Sequence, residues 1–236
     1  MNRVFMYWIG KEYKLLNVLK ERIYTYSKRG KGYEVVFLTK ENLKEYVKVP
    51  AYFYRLQPAH QADYVRVNVL CDFGGIWLDS DTIVVDTLDS MFKMIEDGNG
   101  FFIQNSFGNI INSVFGTKPN TDLMLYWKEM VQTILDQKET HITWIEIGAK
   151  ILTEFYETPS VYEGYTLLDG PSSVCPVPWD KCVQEFLEMP YENYKTIVRP
   201  NQPFLILFQN TYKVMETMSE EEVRNGNRPI HYFLQD

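Results

Sequence analysis

Two aspartates one residue apart stand between two apolar runs of the sequence. Asp79 and Asp81 flank Ser80, after Ile-Trp-Leu and before Ile-Val-Val. On an extended segment both carboxylates point to the same side, and their repulsion disfavours this arrangement unless a cation lies between them. Mn²⁺ and Mg²⁺ prefer carboxylate oxygens and often complete their coordination with substrate phosphates. The spacing therefore predicts that Asp79 and Asp81 share Mn²⁺ or Mg²⁺ with a diphosphate leaving group.

An isolated Asp-x-Asp also has a simpler interpretation. It is typical of a solvated β-turn, in which Asp and Ser are common residues. The apolar strand-forming residues on both sides weigh against this interpretation, and so does the helix predicted just before Gly74.

That helix, predicted over 59–73, is apolar on nearly every side and is therefore expected to be buried. Asp63 and Arg66 lie three residues apart within it and share one face. Buried charges are costly unless they are paired or ligated. The pair is either an internal ion pair or a carboxylate and a guanidinium presented to a polar ligand. The Gly74-Gly75 turn, which directs the helix end towards Asp79, favours the second interpretation.

The elements around these residues alternate between strand and helix patterns. Strands are predicted at 3–10 and 33–39, with a helix between them and a short helix at 40–47. This β-α-β opening favours a parallel sheet with helices on its faces. A strand–turn–strand follows around Asp79 and Asp81, then a helix near 87–96 and two further strands. Helices are predicted at 119–137 and 145–157.

The totals limit the classes of protein that need consideration. The chain has 236 residues, is 45% hydrophobic and carries a formal charge of −7, which fits one large domain and argues against a basic nucleic-acid binder. Three sparse cysteines indicate reduced thiols, and no apolar run is long enough for a transmembrane helix or signal peptide. We expect a soluble, cytoplasmic protein without stable membrane insertion.

The segment 59–89, "AHQADYVRVNVLCDFGGIWLDSDTIVVDTLD", resembles the core of the DXD-containing sugar-transferase family. This family includes yeast-type initiating mannosyltransferases, bacterial capsule and lipopolysaccharide glycosyltransferases and, more distantly, the glucosylating domains of clostridial toxins. The residues that fit its pattern are Ala62, Asp63, Arg66, Leu70, Gly74, Gly75, Ile76, Trp77, Leu78, Asp79 and Asp81. Shorter stretches at 7–10, 112–120 and 147–153 are also similar, although Ala149 replaces a proline of the last one.

The resemblance implies a GT-A fold, an α/β/α sandwich around a central mixed sheet that binds a nucleotide-sugar. The chain would form a single domain, with a nucleotide-sugar-binding part at 1–115 and an acceptor-side part at 116–236. It further implies a hexosyltransferase that uses Mn²⁺ or Mg²⁺, takes a UDP- or GDP-sugar and transfers with retention to a glycan, lipid-linked or protein acceptor, as in surface polysaccharide synthesis.

The resemblance also implies roles for single residues. Asp81 would bind the metal directly, and Asp79 would contact the ribose and the metal shell. Asp63 and Arg66 would form hydrogen bonds with the donor sugar. The aromatic side chains would stack on the nucleobase (Trp8) and line the ribose or sugar pocket (Trp77). The C-terminal "RPIHYFLQD" is similar to a closing H…W stretch, which makes His231 a candidate third metal ligand.

Two other functions remain open from sequence. "LDSDTI" also resembles the nucleophile loop of haloacid-dehalogenase-type phosphatases, but only three residues separate Gly75 from Asp79 and no later paired-acid motif is present. A catalytically inactive nucleotide-sugar-binding protein would keep the same residues. For Glu146, a solvated acid at a helix N-terminus is favoured over an acceptor-side carboxylate.

Overall fold

The computed structural model describes residues 2–138, 141–155, 162–208 and 216–235. The chain forms two compact units, each assembled from three separate segments. The first unit comprises Met1–Ile9, Tyr33–Asp79 and Ser90–Leu168, and the second comprises Gly10–Gly32, Ser80–Asp89 and Asp169–Asp236. The predicted single domain with parts at 1–115 and 116–236 stays a prediction.

The strands and helices of the described residues are numbered here in chain order. The strands are β1 (Arg3–Tyr7), β2 (Glu34–Leu38), β3 (Gly75–Leu78), β4 (Thr82–Val84), β5 (Gly100–Gln104), β6 (Ile110–Thr117), β7 (Tyr165–Asp169) and β8 (Phe204–Ile206). The α-helices are α1 (Lys14–Tyr26), α2 (Pro58–Phe73), α3 (Asp89–Asp97), α4 (Asp122–Lys138), α5 (Ala149–Phe155), α6 (Tyr194–Ile197), α7 (Glu220–Asn225) and α8 (Pro229–Leu234). Single turns of 3₁₀ helix lie at Leu43–Glu45, Phe53–Arg55, Trp179–Lys181 and Tyr191–Asn193, and a π-helical turn lies at Gln184–Glu188.

A six-stranded mixed sheet forms the centre of the first unit, in the order β2-β1-β3-β6-β5-β7. β1 pairs in parallel with β2 and β3, whereas β6 runs antiparallel to both β3 and β5. In β1 every residue from Val4 to Tyr7 is buried, as expected for a central strand covered on both faces. The predicted α/β class with a central mixed sheet is confirmed.

Helix α2 contacts β1, β3 and β6 and packs against α4. Pro58 occupies its first turn, where the missing N–H costs no hydrogen bond, and Gly74 follows its last residue. Its apolar side chains join the core of the first unit, which includes Phe5, Val65, Leu70, Trp77, Phe115 and Trp127. The burial predicted for this helix is confirmed.

The second unit contains the antiparallel pair of β4 and β8, with α1 against β4 and α7 against both α1 and α8. Its core includes Leu15, Leu19, Ile83, Phe186, Leu205 and Ile230.

The strand–turn–strand predicted around Asp79 and Asp81 is confirmed as β3, a turn and β4. The two strands do not pair, because β1 and β6 occupy both edges of β3 and β4 pairs with β8. Two other predictions about single elements need correction. The helix predicted at 40–47 is one 3₁₀ turn. The helix predicted at 145–157 begins at Ala149, and its last two predicted residues lie outside the described part.

Candidate functional site

Two consecutive glycines fix the path from α2 into β3. Gly74 has φ +64°, and a Cβ there would lie 2.7 Å from Pro119 Cδ; Gly75 has φ +109°, and a Cβ there would lie 2.6 Å from the Arg3 carbonyl oxygen. Both positions therefore require glycine, for backbone conformation and for space. The result is that the end of α2 leads directly into β3, which carries Trp77 and ends one residue before Asp79.

Arg66 joins two carboxylates in the first unit. Its Nη1 donates to Asp63 Oδ1 at 2.7 Å, and its Nη2 donates to Asp79 Oδ1 at 2.6 Å. The guanidinium also lies over the Trp77 ring, with Cζ 5.0 Å from the centroid. Trp77 Nε1 donates to the same Asp79 oxygen at 2.7 Å. The sequence predicted that Asp63 and Arg66 share a face near Asp79, and the structure brings all three together.

These charges differ in exposure. The side chains of Arg66 and Asp63 are 3% and 9% exposed, whereas that of Asp79 is 28% exposed. Among the described residues the third guanidinium nitrogen, Arg66 Nε, is buried and has no hydrogen-bond partner. A buried donor without a partner is costly, so the fold leaves one polar group of this cluster unsatisfied.

Burial raises the pKa of Asp63, and the neighbouring Arg66 guanidinium opposes that rise. Asp79 adds to the rise by its own negative charge, and Asn112 Nδ2 opposes it by donating to Asp63 Oδ1 at 2.7 Å. The carboxylate thus depends on donors from α2 and from β6 to remain ionised.

Asn112 and Gly148 complete the surroundings of Asp63. A Cβ at Gly148 would overlap Asn112 Nδ2 and lie 2.9 Å from Asp63 Oδ1, so a larger residue there would have to displace the Asn112–Asp63 hydrogen bond. Both residues lie in stretches that resemble the family, at 112–120 and 147–153, but no local pattern predicts a role for either. The polar residue opening "NSVFGTKPN" and the glycine of "IGAKILT" were the available signals.

The two tryptophans that are predicted to contact the nucleotide-sugar donor lie in different surroundings. Trp77 is only 1% exposed and supports Asp79 and Arg66, so its predicted place in the wall of a donor pocket stays a prediction. Trp8 follows β1, is half-buried, and its backbone N donates to Leu38 O at 3.0 Å. Its stacking on a nucleobase likewise stays a prediction.

Asp81 belongs to the second unit, within the turn that precedes β4. The segment is therefore not extended as the spacing argument assumed. Nor is it a solvated turn, because Asp81 is 9% exposed and its carbonyl oxygen accepts from Leu207 N at 3.2 Å.

His231 lies in α8, and its ring is buried against backbone atoms. Arg228 N donates to its Nδ1 at 3.1 Å, and its Nε2 lies 2.6 Å from the Glu222 carbonyl oxygen. A metal at this ring would have to displace one of those bonds. Its role as a ligand stays a prediction.

Glu146 is ion-paired rather than solvated. Its carboxylate contacts Lys138 and accepts from Thr143 N at 2.9 Å, and the Lys138 hydrogen bond, followed by that of Thr143, lowers the pKa of Glu146. These bonds give Glu146 a structural role in the loop before α5.

The available donors fit a hard cation only in part. Asp79 and Asp81 offer carboxylate oxygens, the type that Mn²⁺ and Mg²⁺ prefer. In the described ranges no group of three or more His, Cys, Asp or Glu side chains is arranged to hold a metal. An ion at this motif would therefore take much of its coordination from the diphosphate of a bound donor.

Comparison with known proteins identifies the family. The family model described as capsular polysaccharide synthesis protein matches residues 1–236, and the chain belongs to that family. No curated protein matches the sequence.

Solved structures support the fold. One similar structure is a glycosyltransferase involved in the glycosylation of the major capsid of PBCV-1, at 13% identity and a TM-score of 0.50, covering 93% of this chain and 95% of that one. Another is the PaToxG glycosyltransferase, at 15% identity and a TM-score of 0.50, covering 99% of this chain and 86% of that one. The predicted GT-A fold is confirmed, and family and fold together support the glycosyltransferase class. Neither supports the phosphatase alternative.

Among the described helices, none combines the length and the apolar character that crossing a membrane requires.

Proposed function

We propose that this member of the capsular polysaccharide synthesis family is a metal-dependent glycosyltransferase that moves a hexose from a nucleoside diphosphate sugar to a glycan acceptor, with retention at the anomeric carbon. The observation that carries the proposal is the buried Asp63–Arg66–Asp79 chain at the end of β3. It presents acidic and cationic groups side by side, and the family description favours a polysaccharide as the acceptor.

Sugar transfer requires two opposite charges to be stabilised at once. The reacting sugar becomes oxocarbenium-like, as in glycoside hydrolysis, while the departing diphosphate gains negative charge. Asp63 accepts hydrogen bonds from the donor sugar and stabilises the positive ring. Arg66 faces the sugar and the phosphate end, because its Nη2 already points towards Asp79.

Mn²⁺ or Mg²⁺, when bound, neutralises the charge that develops on the diphosphate. Asp79 and Asp81 are its proposed protein ligands, and Asp79 also contacts the ribose. Arg66 Nη2 and Trp77 Nε1 both bond Asp79 Oδ1, which fixes the carboxylate while leaving Oδ2 to other partners. Trp8 stacks on the base of a UDP- or GDP-sugar.

The first test is a calorimetric titration with UDP-, GDP- and CMP-linked sugars, with Mn²⁺ present and then with a chelator. One donor should bind in the presence of metal and be released by the chelator. Asp79→Asn and Asp81→Asn should lose this metal-dependent binding. Asp86→Asn is the matched control, because Asp86 follows the same segment but is exposed.

The melting temperature of each variant separates binding from folding. An Asp81→Asn protein that binds donor as tightly, with unchanged chelator sensitivity, would refute the assignment of the metal. Donor binding without hydrolysis or transfer would indicate an inactive binding protein. Phosphoenzyme trapping on Asp79 would revive the phosphatase.

A further inference from the structure

The loop at 141–148, in the first unit, exposes two neighbouring large apolar side chains. Trp144 is 54% exposed and Ile145 is 51% exposed. A single exposed apolar residue needs no explanation, whereas an adjacent exposed pair beside a functional cluster is informative.

The same loop is held by several hydrogen bonds. Glu146 accepts from both the backbone N and the Oγ1 of Thr143, at 2.9 and 3.3 Å, and pairs with Lys138. Trp127 Nε1 donates to Ile147 O at 2.9 Å. The loop is therefore held on both sides of Trp144, which lowers the entropy cost of binding a ligand there.

The loop also contacts the helix that carries Asp63. A ring nitrogen of His60, in the first turn of α2, lies 3.2 Å from Thr143 O, and the His60 and Trp144 ring centroids are 6.4 Å apart. At the other end of the loop, Gly148 lies against Asp63 and Asn112. Trp144 is thus tied to the end of the site where the proposed function places the donor sugar.

We propose that Trp144, with Ile145 beside it, is the platform on which a sugar ring of the acceptor stacks. A pyranose presents C–H groups on its face and hydroxyls at its edge, and an exposed indole offers the large flat apolar surface that such a face covers. A nucleobase could stack in the same way, but the proposed place for the base is Trp8, after β1. This inference rests on the proposed glycosyltransferase function and identifies the acceptor-binding element of that site.

Fluorine NMR of the full-length protein labelled with fluorotryptophan tests the proposal directly. The chain has five tryptophans, and Trp144→Phe and Trp179→Phe identify two of the resonances. Trp179 is 50% exposed and lies in the second unit, so it is the matched control. The probes are defined tetrasaccharides of glucose, galactose, mannose and N-acetylglucosamine, and separately UDP and GDP with Mn²⁺.

At least one saccharide should shift the Trp144 resonance and leave that of Trp179 in place. The proposal is overturned if no saccharide moves the Trp144 resonance, or if the nucleotides move it and the saccharides do not. Broadening of that resonance with protein concentration alone would point to a second copy of the chain and would also overturn it.

Kinetics provide the second readout. With a saccharide that accepts the sugar, Trp144→Ala should raise the acceptor KM about fivefold and change kcat less, since an aromatic stack is worth about 1 kcal/mol. Trp144→Phe should restore most of the affinity, and Trp179→Ala should change nothing. Equal acceptor KM values for the wild type and Trp144→Ala would refute the platform.

The two proposals can fail separately. If no nucleotide sugar binds but saccharides still shift Trp144, the proposed transfer fails and a saccharide site remains. If a donor binds and is hydrolysed but Trp144 does not respond to saccharides, only the platform fails.

Discussion

Replacing Arg66 by methionine tests the buried charge chain, because methionine keeps the aliphatic volume and removes the cation. The guanidinium makes charge-assisted bonds of 2.7 and 2.6 Å to Asp63 and Asp79. Removing one partner of a buried ion pair costs about 3–5 kcal/mol, because the other charge stays buried without compensation. Asp79 is 28% exposed, so its contribution is small and most of the loss comes from Asp63.

Protonation of Asp63 sets an upper limit on that loss. An aspartate has an unfolded pKa of about 3.9, and keeping it protonated in the folded state costs about 1.4 kcal/mol for each pH unit above that value. The limit is about 4 kcal/mol at pH 7 and about 2 kcal/mol at pH 5.5. The first figure agrees with the cost of an uncompensated buried charge.

The direction of the pH effect follows from the raised pKa of Asp63. When the folded state binds the proton more tightly than the unfolded state, the unfolding free energy falls as the pH rises from the unfolded to the folded pKa. Loss of Arg66 raises the folded pKa of Asp63 further. The destabilisation by Arg66→Met should therefore be smaller at pH 5.5 than at pH 7.

Urea denaturation of wild type and Arg66→Met at both pH values measures the difference. Arg66→Met in the Asp63→Asn background is the control: with a neutral residue at 63, the effect of Arg66→Met relative to the Asp63→Asn single variant should lose most of the pH dependence. If Arg66→Met lowers the free energy of unfolding by less than about 1 kcal/mol, which is the range of an exposed ion pair, the charges of Asp63, Arg66 and Asp79 are solvated. A loss that does not change with pH would show that Asp63 is not the group that responds.

The remaining predictions concern single side chains around the sheet. Gly75→Ala should cost several kcal/mol in a denaturant titration, because its Cβ would lie 2.6 Å from Arg3 O at φ +109°; a loss below about 1 kcal/mol would contradict this packing. Gly148→Ala should break the hydrogen bond from Asn112 to Asp63. Calorimetry should then show about tenfold weaker donor binding, with a smaller effect on the melting temperature. An unchanged affinity would mean that Asp63 is not part of the donor site. Tyr165→Phe should cost about 1–3 kcal/mol by thermal denaturation, because it removes the hydroxyl that bonds two threonines at 2.5 and 2.6 Å. Burial raises the pKa of Tyr165 to about 12, so this loss should not change between pH 6 and 8; a neutral effect would mean that those threonines find other partners.

Local patterns predicted the parts of the site that are local in the chain. Asp63 and Arg66 are three residues apart on one helix, so their pairing follows from helix geometry alone. The approach to Asp79 follows from the consecutive glycines, because each supplies a backbone conformation that other residues rarely adopt.

Local sequence patterns could not predict the contacts between segments that lie far apart in the chain. Asn112 is 49 residues from Asp63 along the chain, and nothing in the spacing of either residue links β6 to α2. Similarly, the pairing of β4 with β8 depends on both edges of β3 being occupied, which only the full sheet order reveals. Trp144 was missed for a related reason: its exposure depends on a loop held by Glu146, a residue that the sequence suggested was solvated.

The burial of Arg66 and Asp63 has consequences for both folding and binding. A flexible, solvated arginine would have to be ordered and desolvated when a donor binds, at the expense of affinity. In this chain the folding of α2 against the sheet has already met that cost, and Trp77 holds the guanidinium and Asp79 together. Hydrogen-bond donors that are fixed in a site without water stabilise a developing charge without having to reorganise. In the proposed function, Arg66 serves stability and donor binding through the same two bonds. Loss of stability in Arg66→Met is accordingly expected to accompany loss of donor binding, and donor titration below the melting temperature of the variant separates the two effects.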